Sequence, residues 1–482
     1  KSEDSAFRQQ RRSKITNTIE VAKSSNRGWG IFVVGDFMNY DLTQGNIMKN
    51  LLKFSFPIMV GNVLQQLYNV VDTLIVGRYL GKNALAAVGS SYTLMVFVTS
   101  IILGLCMGSS AFFSMQFGRR DQDRLQQGIY MAFLMIGIVT VTLNVFVYAG
   151  IYGILAFLRV PIEVAPFMKT YLLWIFSGIA ATFLYNFVAN FMRALGNSLI
   201  PLCFLGISAV LNIFLDLFFI RVLLWGVGGA AIATVISQYV AGVGILIYCV
   251  RKYPQVHIKK ENRRWHSSIL KELLGLSSLT CLQQSVMNFG ILMVQGLVNS
   301  FGSVVMAAFA AAVKIDSFAY APVQDFGNAF STYVAQNYGA GKSDRIRKGM
   351  RDAVLGAFVF CALISVLVVR FAEPLMSLFL DESSADAVLV GVGYLRIEAS
   401  FYFGIGLLFL FYGYFRAVNK PGISVVLTVV SLGMRVLLAY LLSSIESIGV
   451  TGIWLSVPIG WVLADAAGVF FYVHGRARKS AV

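Results

Sequence analysis

Long apolar segments recur along the whole chain and alternate with short polar segments. Each apolar segment reaches the length of about 20 residues that a helix needs to cross a bilayer. The apolar residues run continuously instead of alternating, which favours helices over the roughly ten-residue strands of a membrane barrel. We predict twelve spans, at residues 51–76, 84–117, 127–157, 166–191, 199–220, 228–250, 271–300, 303–336, 350–372, 388–414, 421–442 and 449–473.

The polar segments between the spans give the predicted domain organisation. The apolar stretch Trp29–Phe37 is too short for the core of a signal peptide. We therefore interpret residues 1–37 as a disordered part of a cytoplasmic N-terminal segment. The predicted division is a polar segment at 1–50, a six-helix lobe at 51–250, a cytoplasmic linker at 251–270, a second six-helix lobe at 271–475 and a basic cytoplasmic tail at 476–482.

The composition supports a helical membrane protein. Hydrophobic residues make up 57% of the chain and charged residues only 13%, with a mean hydropathy of +0.72. Soluble domains are about a quarter charged. The fold class predicted from both observations is an all-α polytopic membrane protein embedded in a lipid bilayer.

The net charge of +16 concentrates in every second loop and in the tail. Such a distribution sets the orientation of a membrane protein, and it does not indicate a nucleic-acid partner. The positive-inside rule places the basic loops and both termini in the cytoplasm, as expected for a bacterial inner-membrane protein. The alternate loops hold only Arg78, Lys82, Arg159, Lys169, Arg221 and Arg370.

Cysteine and histidine patterns do not indicate an enzyme. None of the five cysteines forms a Cys-x-x-Cys motif, and all lie in or beside apolar segments, as small buried hydrophobic residues do. The three histidines are isolated in polar segments. A membrane enzyme needs a nucleophile with its base, or paired histidines, and no such cluster is visible in the sequence.

The two halves of the chain are similar in sequence. The segment "VLQQLYN" resembles "CLQQSVMN", and "FGRRDQDRLQQG" resembles "YGAGKSDRIRKG". Gly118 aligns with Gly339, and Arg193 aligns with Arg416. Because each copy has six spans, both copies have the same orientation. This predicts two pseudo-symmetric six-helix lobes, related by an axis along the membrane normal, with a substrate cavity between them.

Several oxygen-bearing side chains occur in the first copy only. This asymmetry predicts a cation or proton site in the first lobe, because scaffold packing alone does not require it. The aligned pairs are Asp72 with Gly290, Asn186 with Phe409, Asn212 with Arg435, Asp216 with Ala439 and Thr234 with Val457.

Counting along the helices brings four of these residues together. Asp72 lies six residues before Arg78 and Asp216 five before Arg221, so both acids are near the outer end of their spans. Asn212 and Asp216 share one helical face, and Thr234 reaches the same depth. Carboxylate, amide and hydroxyl oxygens suit Na⁺, and two close carboxylates can also hold a proton. The sequence does not decide between Na⁺ and H⁺.

Other interpretations of these residues stay open. Asp72 could hydrogen-bond a neighbouring helix as structural glue, and Asp216 could pair with Arg221. Asn186 lies nearer the cytoplasmic end, so its depth matches less well. Pro57 removes a backbone hydrogen bond and could act as a hinge or as an ordinary kink where the chain enters the membrane.

The substrate cavity is predicted to include polar, aromatic and methionine side chains from both lobes. Other charged residues of the second half, Lys314, Glu398, Arg416 and Arg435, could bind substrate or form ion pairs between the lobes. The candidate lining residues are Gln65, Tyr68, Gln283, Asn288, Met293, Asp316, Tyr320 and Asp325.

Three segments, "FPIMVGNVLQQLYNVVDTLIVGRYLG", "MRALGNSLIP" and "NYGAGKSDRIRKG", resemble the multidrug and toxic compound extrusion (MATE) family, in its DinF-like and MepA-like branches. The resemblance implies a V-shaped transporter that alternates between outward and inward states. It also implies a first-lobe cation network at Asp72, Asn186, Asn212, Asp216 and Thr234, with a bending proline at Pro57. Other members use a carboxylate in the seventh span, and this chain has none there.

We therefore predict a monomeric secondary antiporter that exports amphipathic, often cationic, organic compounds. The coupling ion is H⁺ or Na⁺, and no other cofactor is expected. A lipid-linked oligosaccharide flippase of the same superfamily is the main alternative, although twelve spans and few central arginines favour the drug exporter. An integral membrane enzyme and a channel are further alternatives.

Overall fold

The computed structural model describes residues 41–157, 160–380 and 385–480, and these residues form α-helices without a strand. The predicted disorder at 1–37 lies outside the described residues. The helices are α1 (Ile47–Leu80), α2 (Lys82–Arg119), α3 (Gln122–Phe157), α4 (Ala165–Ser177), α5 (Ile179–Ala194), α6 (Leu199–Leu217), α7 (Gly226–Lys252), α8 (Ser267–Asn299), α9 (Ser303–Gly339), α10 (Ser343–Arg370), α11 (Ala372–Ser377), α12 (Ala385–Ala399), α13 (Tyr402–Ala417), α14 (Pro421–Ser443) and α15 (Val450–Ser480).

Twelve membrane-spanning helices are formed, as predicted. Within the described ranges, eight helices are long and apolar enough to cross a bilayer, and the bent pairs α4–α5 and α12–α13 add two if each pair is one span. The remaining two are α1 and α8, of 34 and 33 residues, which carry more polar side chains. Each lobe contains six of these spans.

Two spans that were predicted to be continuous are broken. The span predicted at 166–191 bends by 44° between α4 and α5, and the span at 388–414 bends by 52° between α12 and α13. The first break falls at Gly178, where a Cβ atom would lie 2.8 Å from Cγ2 of Val235. Glycine therefore lets α7 approach the bend closely. The breaks occupy equivalent places in the two repeats.

Reciprocal contacts show the pseudo-symmetry directly. A Cβ atom on Gly118 would lie 2.0 Å from the carbonyl oxygen of Gln336. A Cβ atom on Gly339 would lie 2.0 Å from the carbonyl oxygen of Met115. The two glycines are the aligned pair of the sequence repeat, so α2 and α9 cross each other with their backbones almost in contact.

The lobes touch at the end of the molecule that carries the basic loops. There, the Ser109 and Ser277 hydroxyls lie 3.0 Å apart, and Arg124 forms an ion pair of 2.5 Å with Glu272. Gln336 links the lobes by accepting a hydrogen bond from the Leu42 amide and by donating one to the Ala194 carbonyl. Toward the opposite end, the lobes are separated by a cavity whose lining includes the exposed side chain of Tyr92. The two lobes therefore enclose a groove that opens away from the basic loops.

Candidate cation site and transport cavity

Two carboxylates meet inside the first lobe. Asp72 projects from the last third of α1, and Asp216 lies in the last turn of α6. Their carboxyl groups are within hydrogen-bonding reach of each other. Asp216 is 0% exposed, and Asp72 is half-buried. Directly after Asp216 the chain forms one π-helical turn, Phe218–Val222, a distortion that is frequent at functional sites.

Four acceptor oxygens around this pair have no hydrogen-bond donor within the described part of the chain. They are one Asp72 oxygen, both Asp216 oxygens and the side-chain oxygen of Asn212. The Asn212 amide nitrogen donates to the Thr234 hydroxyl at 3.3 Å, and that hydroxyl donates to the Ala230 carbonyl at 3.2 Å. Buried acceptors without donors are costly. A proton or a small cation between the carboxylates would satisfy them.

The two competing interpretations of the acids are not supported by the geometry. Arg221 is exposed while Asp216 is fully buried, and none of the ion pairs in the described ranges joins them. Asp72 faces another carboxylate instead of a donor on a neighbouring helix. A structural hydrogen bond requires a donor on one side, so this pair is a poor helix–helix link unless a proton is present.

Asn186 lies apart from the other four predicted ligands. Its amide nitrogen donates to the Thr182 carbonyl of its own helix at 2.9 Å, and its side chain lines the cavity between the lobes. The four other residues are not among the residues that line this cavity. Asn186 thus faces a different space from the other four residues, and a cation role for it stays a prediction.

Sequence reasoning missed one neighbour of the acid pair and one buried hydroxyl that lies a turn from Thr234. Tyr171 of α4 is buried and close enough to interact electrostatically with both Asp72 and Asp216. The Ser237 hydroxyl, one turn from Thr234 on α7, is buried and has no partner in the described part of the structure. Neither residue carried a signal, because a tyrosine or a serine in an apolar helix is typical of ordinary packing.

A cavity of about 560 Å³ lies between the lobes. It is lined by residues of both repeats, including Gln65, Tyr68 and Asp325 as predicted. Ten of its lining residues carry amide side chains, and the charged lining residues are Arg193, Asp325 and Arg416. The amide-bearing lining residues are Asn62, Gln65, Gln66, Asn69, Asn186, Asn190, Gln238, Gln284, Gln324 and Asn328.

The structure describes the side chains of two of the three α8 residues that were predicted to line the cavity, and neither of them lines it. Gln283 is only 2% exposed, and the next residue, Gln284, lines the cavity in its place. Successive helical residues point about 100° apart, so a matched glutamine pair does not guarantee that both side chains face the cavity. Met293 is exposed but lies outside the lining. The side chain of Asn288 lies outside the described residues.

Asp316 and Tyr320 were also predicted to line the cavity, and the structure places them elsewhere. Asp316 is buried within the second lobe, where it accepts a hydrogen bond from the Tyr402 hydroxyl and lies beside Glu398. Tyr320 is close to the same acids. They belong to a separate polar cluster, because the face of α9 on which they lie turns toward α12 and α13.

Lys314, Glu398, Arg416 and Arg435, which were candidates for ion pairs between the lobes, form none in the described ranges. Lys314 is exposed, and the interlobe contact is instead a hydrogen bond from the Asn62 amide to Asp325 at 2.5 Å. The ion pair that does join the lobes, Arg124 with Glu272, comes from residues that the sequence did not single out. Opposite charges on facing helices can be recognised only when the helix contacts are known.

A twelve-helix bundle in two repeated lobes, with buried carboxylates and a polar cavity between the lobes, defines a secondary transporter. The profile of the MatE family matches residues 57–218 and 279–441, one segment in each repeat. The chain therefore belongs to the MatE family of multidrug efflux transporters.

Its relatives carry related names. It is 32% identical to the probable multidrug resistance protein YpnP of Bacillus subtilis over 91% of this chain and 97% of YpnP. It is 25% identical to the FAD transporter of Shewanella oneidensis over 89% of this chain and 95% of the relative. A solved structure described as the outward-facing conformation of a multidrug resistance MATE family transporter has a TM-score of 0.85 at 24% identity, covering 92% of this chain and 98% of that one. This structural likeness supports the fold.

Proposed function

We propose that the protein is an antiporter that exports organic compounds from bacteria in exchange for H⁺ or Na⁺. The observation that carries this proposal is the group of four unpaired acceptor oxygens around Asp72 and Asp216. An incoming cation supplies the missing positive charge, and its release on the other side restores the unsatisfied state. The cavity volume of about 560 Å³ suits a drug-sized compound, for which pockets of roughly 300–1,000 Å³ are usual.

Helix α1 provides the mechanical link between the cation and the substrate. It carries Asp72 of the acid pair and Asn62, which bonds to Asp325 of the second lobe. Pro57 lies in the same helix and lacks an amide hydrogen, so α1 can bend there at low cost. A cation between the carboxylates draws α1 toward α6. Bending of α1 then changes the interlobe contact at Asn62 and moves the walls of the cavity.

The orientation gives the direction of transport. If the basic loops and both termini are cytoplasmic, the groove opens to the outside and the acid pair lies in the outer half of its lobe. Cations then enter from the outside, where the membrane potential adds about 2.3 kcal/mol per charge for each 100 mV. We propose that the protein acts as a monomer in the inner membrane, without another cofactor and without binding nucleic acid. We expect its substrates to be amphipathic and often cationic.

Reconstituted vesicles test the proposal. The purified protein is placed in vesicles, and dye transport is measured with an H⁺ gradient or a Na⁺ gradient imposed separately. One gradient should drive transport, and Asp216→Asn should lower that rate by about 100-fold, because it removes one charge of the pair. Asp344→Asn, at an exposed acid of α10, is the matched control and should leave the rate unchanged. Gradient-driven transport at the normal rate in Asp216→Asn would exclude this coupling site.

A further inference from the structure

Two arginines line the interlobe cavity at equivalent positions of the two repeats. Arg193 is in the last turn of α5, and Arg416 is in the last turn of α13. Both helices end near the closed end of the groove, so the arginines form the floor of the cavity. The acid pair proposed to bind the coupling ion is not part of this lining.

Arg416 is buried without an anionic partner. Its side chain is 4% exposed, and it donates one hydrogen bond to the Ser331 hydroxyl at 3.3 Å and one to the Asn328 side-chain oxygen at 3.1 Å. Both partners are neutral. A guanidinium has five N–H donors, so its positive charge and part of its hydrogen-bonding capacity remain unsatisfied. Burying a charge without a counter-charge is unfavourable.

Arg193 also has a hydrogen-bond donor that is not used. Its Nε atom is buried and has no acceptor within the described part of the chain. None of the ion pairs found in the described ranges includes Arg193 or Arg416. Asp325 is the acidic residue among the lining residues. It is close enough to Arg193 to interact with it electrostatically. One of its oxygens is already engaged by Asn62 at 2.5 Å. The lining therefore carries two positive charges and one negative charge.

We infer that Arg193 and Arg416 form an anion-binding subsite at the cavity floor, and that the transported compounds carry a carboxylate or a phosphate that docks there. This inference rests on the proposed function and defines its substrate class more narrowly. Arginine is suited to the role, because its planar guanidinium binds carboxylate and phosphate oxygens in pairs. The amide side chains that also line the cavity suit the uncharged polar parts of the same molecule. An amphipathic zwitterion fits the whole cavity.

A matched pair of dyes tests the subsite. Rhodamine 6G is an ethyl ester and a cation, and its free acid adds one carboxylate to the same ring system. Binding of each dye to the full-length protein in phosphatidylcholine nanodiscs is measured by fluorescence anisotropy. The free acid should bind more tightly than the ester. Arg416→Gln should weaken binding of the acid by about tenfold and leave the ester within about twofold, because one charged hydrogen-bonded contact is lost.

Controls separate binding from folding. Arg416→Lys keeps the charge and should retain most of the preference for the acid, and Arg193→Gln should reduce that preference independently. Arg347→Gln, at an exposed arginine of α10, should change neither affinity. Equal weakening of both dyes by Arg416→Gln, or no preference for the acid in the unchanged protein, overturns the inference.

A lipid headgroup could supply the same anionic chemistry. Adding phosphatidylglycerol to the nanodiscs should leave the affinity for the acid unchanged. If that lipid competes with the acid, and the competition disappears in Arg416→Gln, the occupant is a lipid and the inference about transported compounds fails.

The outcomes also separate the proposed antiport from the proposed anion-binding subsite. The Asp216→Asn variant should still bind the free acid but should lose gradient-driven transport. If the unchanged protein binds the free acid but shows no gradient-driven transport, only the antiport proposal fails.

Discussion

Each lobe contains a buried pair of acids, and the two pairs differ in what surrounds them. In the first lobe, Asp72 and Asp216 face each other, and three of their four oxygens lack a donor in the described structure. In the second lobe, Asp316 and Glu398 also lie within hydrogen-bonding reach of each other, and one oxygen of each lacks a donor in the described structure. There, the Tyr402 hydroxyl donates to Asp316 and Tyr394 reaches Glu398.

The most informative difference is one side chain at an equivalent position. Arg435 of α14 interacts electrostatically with both Asp316 and Glu398, although no direct ion pair joins them in the described ranges. Asn212 aligns with Arg435 in the sequence repeat, and it carries a neutral amide, one helical turn from Asp216, that donates to Thr234. The second pair thus needs only one shared proton beside its own cation. The first pair must take its positive charge from outside the protein, which is what a coupling site requires.

The largest effect is expected from a substitution that places in the first lobe the arginine that the second lobe carries at the equivalent position. Asn212→Arg should place a positive charge beside Asp72 and Asp216 and so replace the coupling ion. Gradient-driven dye transport in vesicles should fall by about 100-fold. Asn212→Leu, which removes the amide without adding charge, should retain more transport. Normal coupling in Asn212→Arg would show that the cation at this position is not what distinguishes the two acid pairs.

The reverse substitution should destabilise the second lobe. Arg435→Asn leaves Asp316 and Glu398 without a nearby cation, and we expect the protein to lose about 2 kcal/mol of stability. Thermal unfolding in detergent measures the loss. The double variant Arg435→Asn with Glu398→Gln should recover most of the lost stability, because one charge of the acid pair is then removed. Arg347→Asn, at the exposed surface of α10, is the control. If it lowers stability as much as Arg435→Asn, the loss comes from removing any positive charge and not from the need of the acid pair for a cation.

A smaller effect is expected from removing a single donor of the second pair. Tyr402→Phe leaves one oxygen of Asp316 without its hydrogen bond, which should lower stability by about 1 kcal/mol. Tyr440→Phe, at an exposed tyrosine of α14, is the matched control for loss of a hydroxyl. Equal melting temperatures for the two variants would mean that the Tyr402 hydroxyl is dispensable.

The smallest effect is expected from neutralising the second pair without removing its cation. Glu398→Gln keeps the side-chain volume, and Asp316 keeps Arg435 as its counter-charge. Transport driven by the coupling gradient should stay within about threefold of the unchanged protein, since Arg435 then balances the one remaining charge, that of Asp316, and this site needs no external ion. A loss as large as that of Asp216→Asn would place coupling in both lobes.

The helical class, the twelve spans and the duplication could be predicted because they depend on local composition and on ordered matches along the chain. The meeting of Asp72 with Asp216 was also predictable. Both depths can be counted from the helix ends at 1.5 Å per residue, and Asn212 is placed by the helical period. The breaks near Gly178 and Phe401 were not predictable, because an apolar segment keeps the same composition whether it is straight or bent.

The sequence by itself determined the membrane-spanning pattern, the repeat and the asymmetry of oxygen ligands between the two copies. Only the tertiary structure decided which faces of the helices meet. It placed Gln284 in the cavity instead of Gln283, placed Arg435 beside two acids, and left Arg416 without an anion. A helical repeat of 3.6 residues specifies directions within one helix. The rotation of one helix against another comes from packing between residues far apart in the chain, and no local pattern records it.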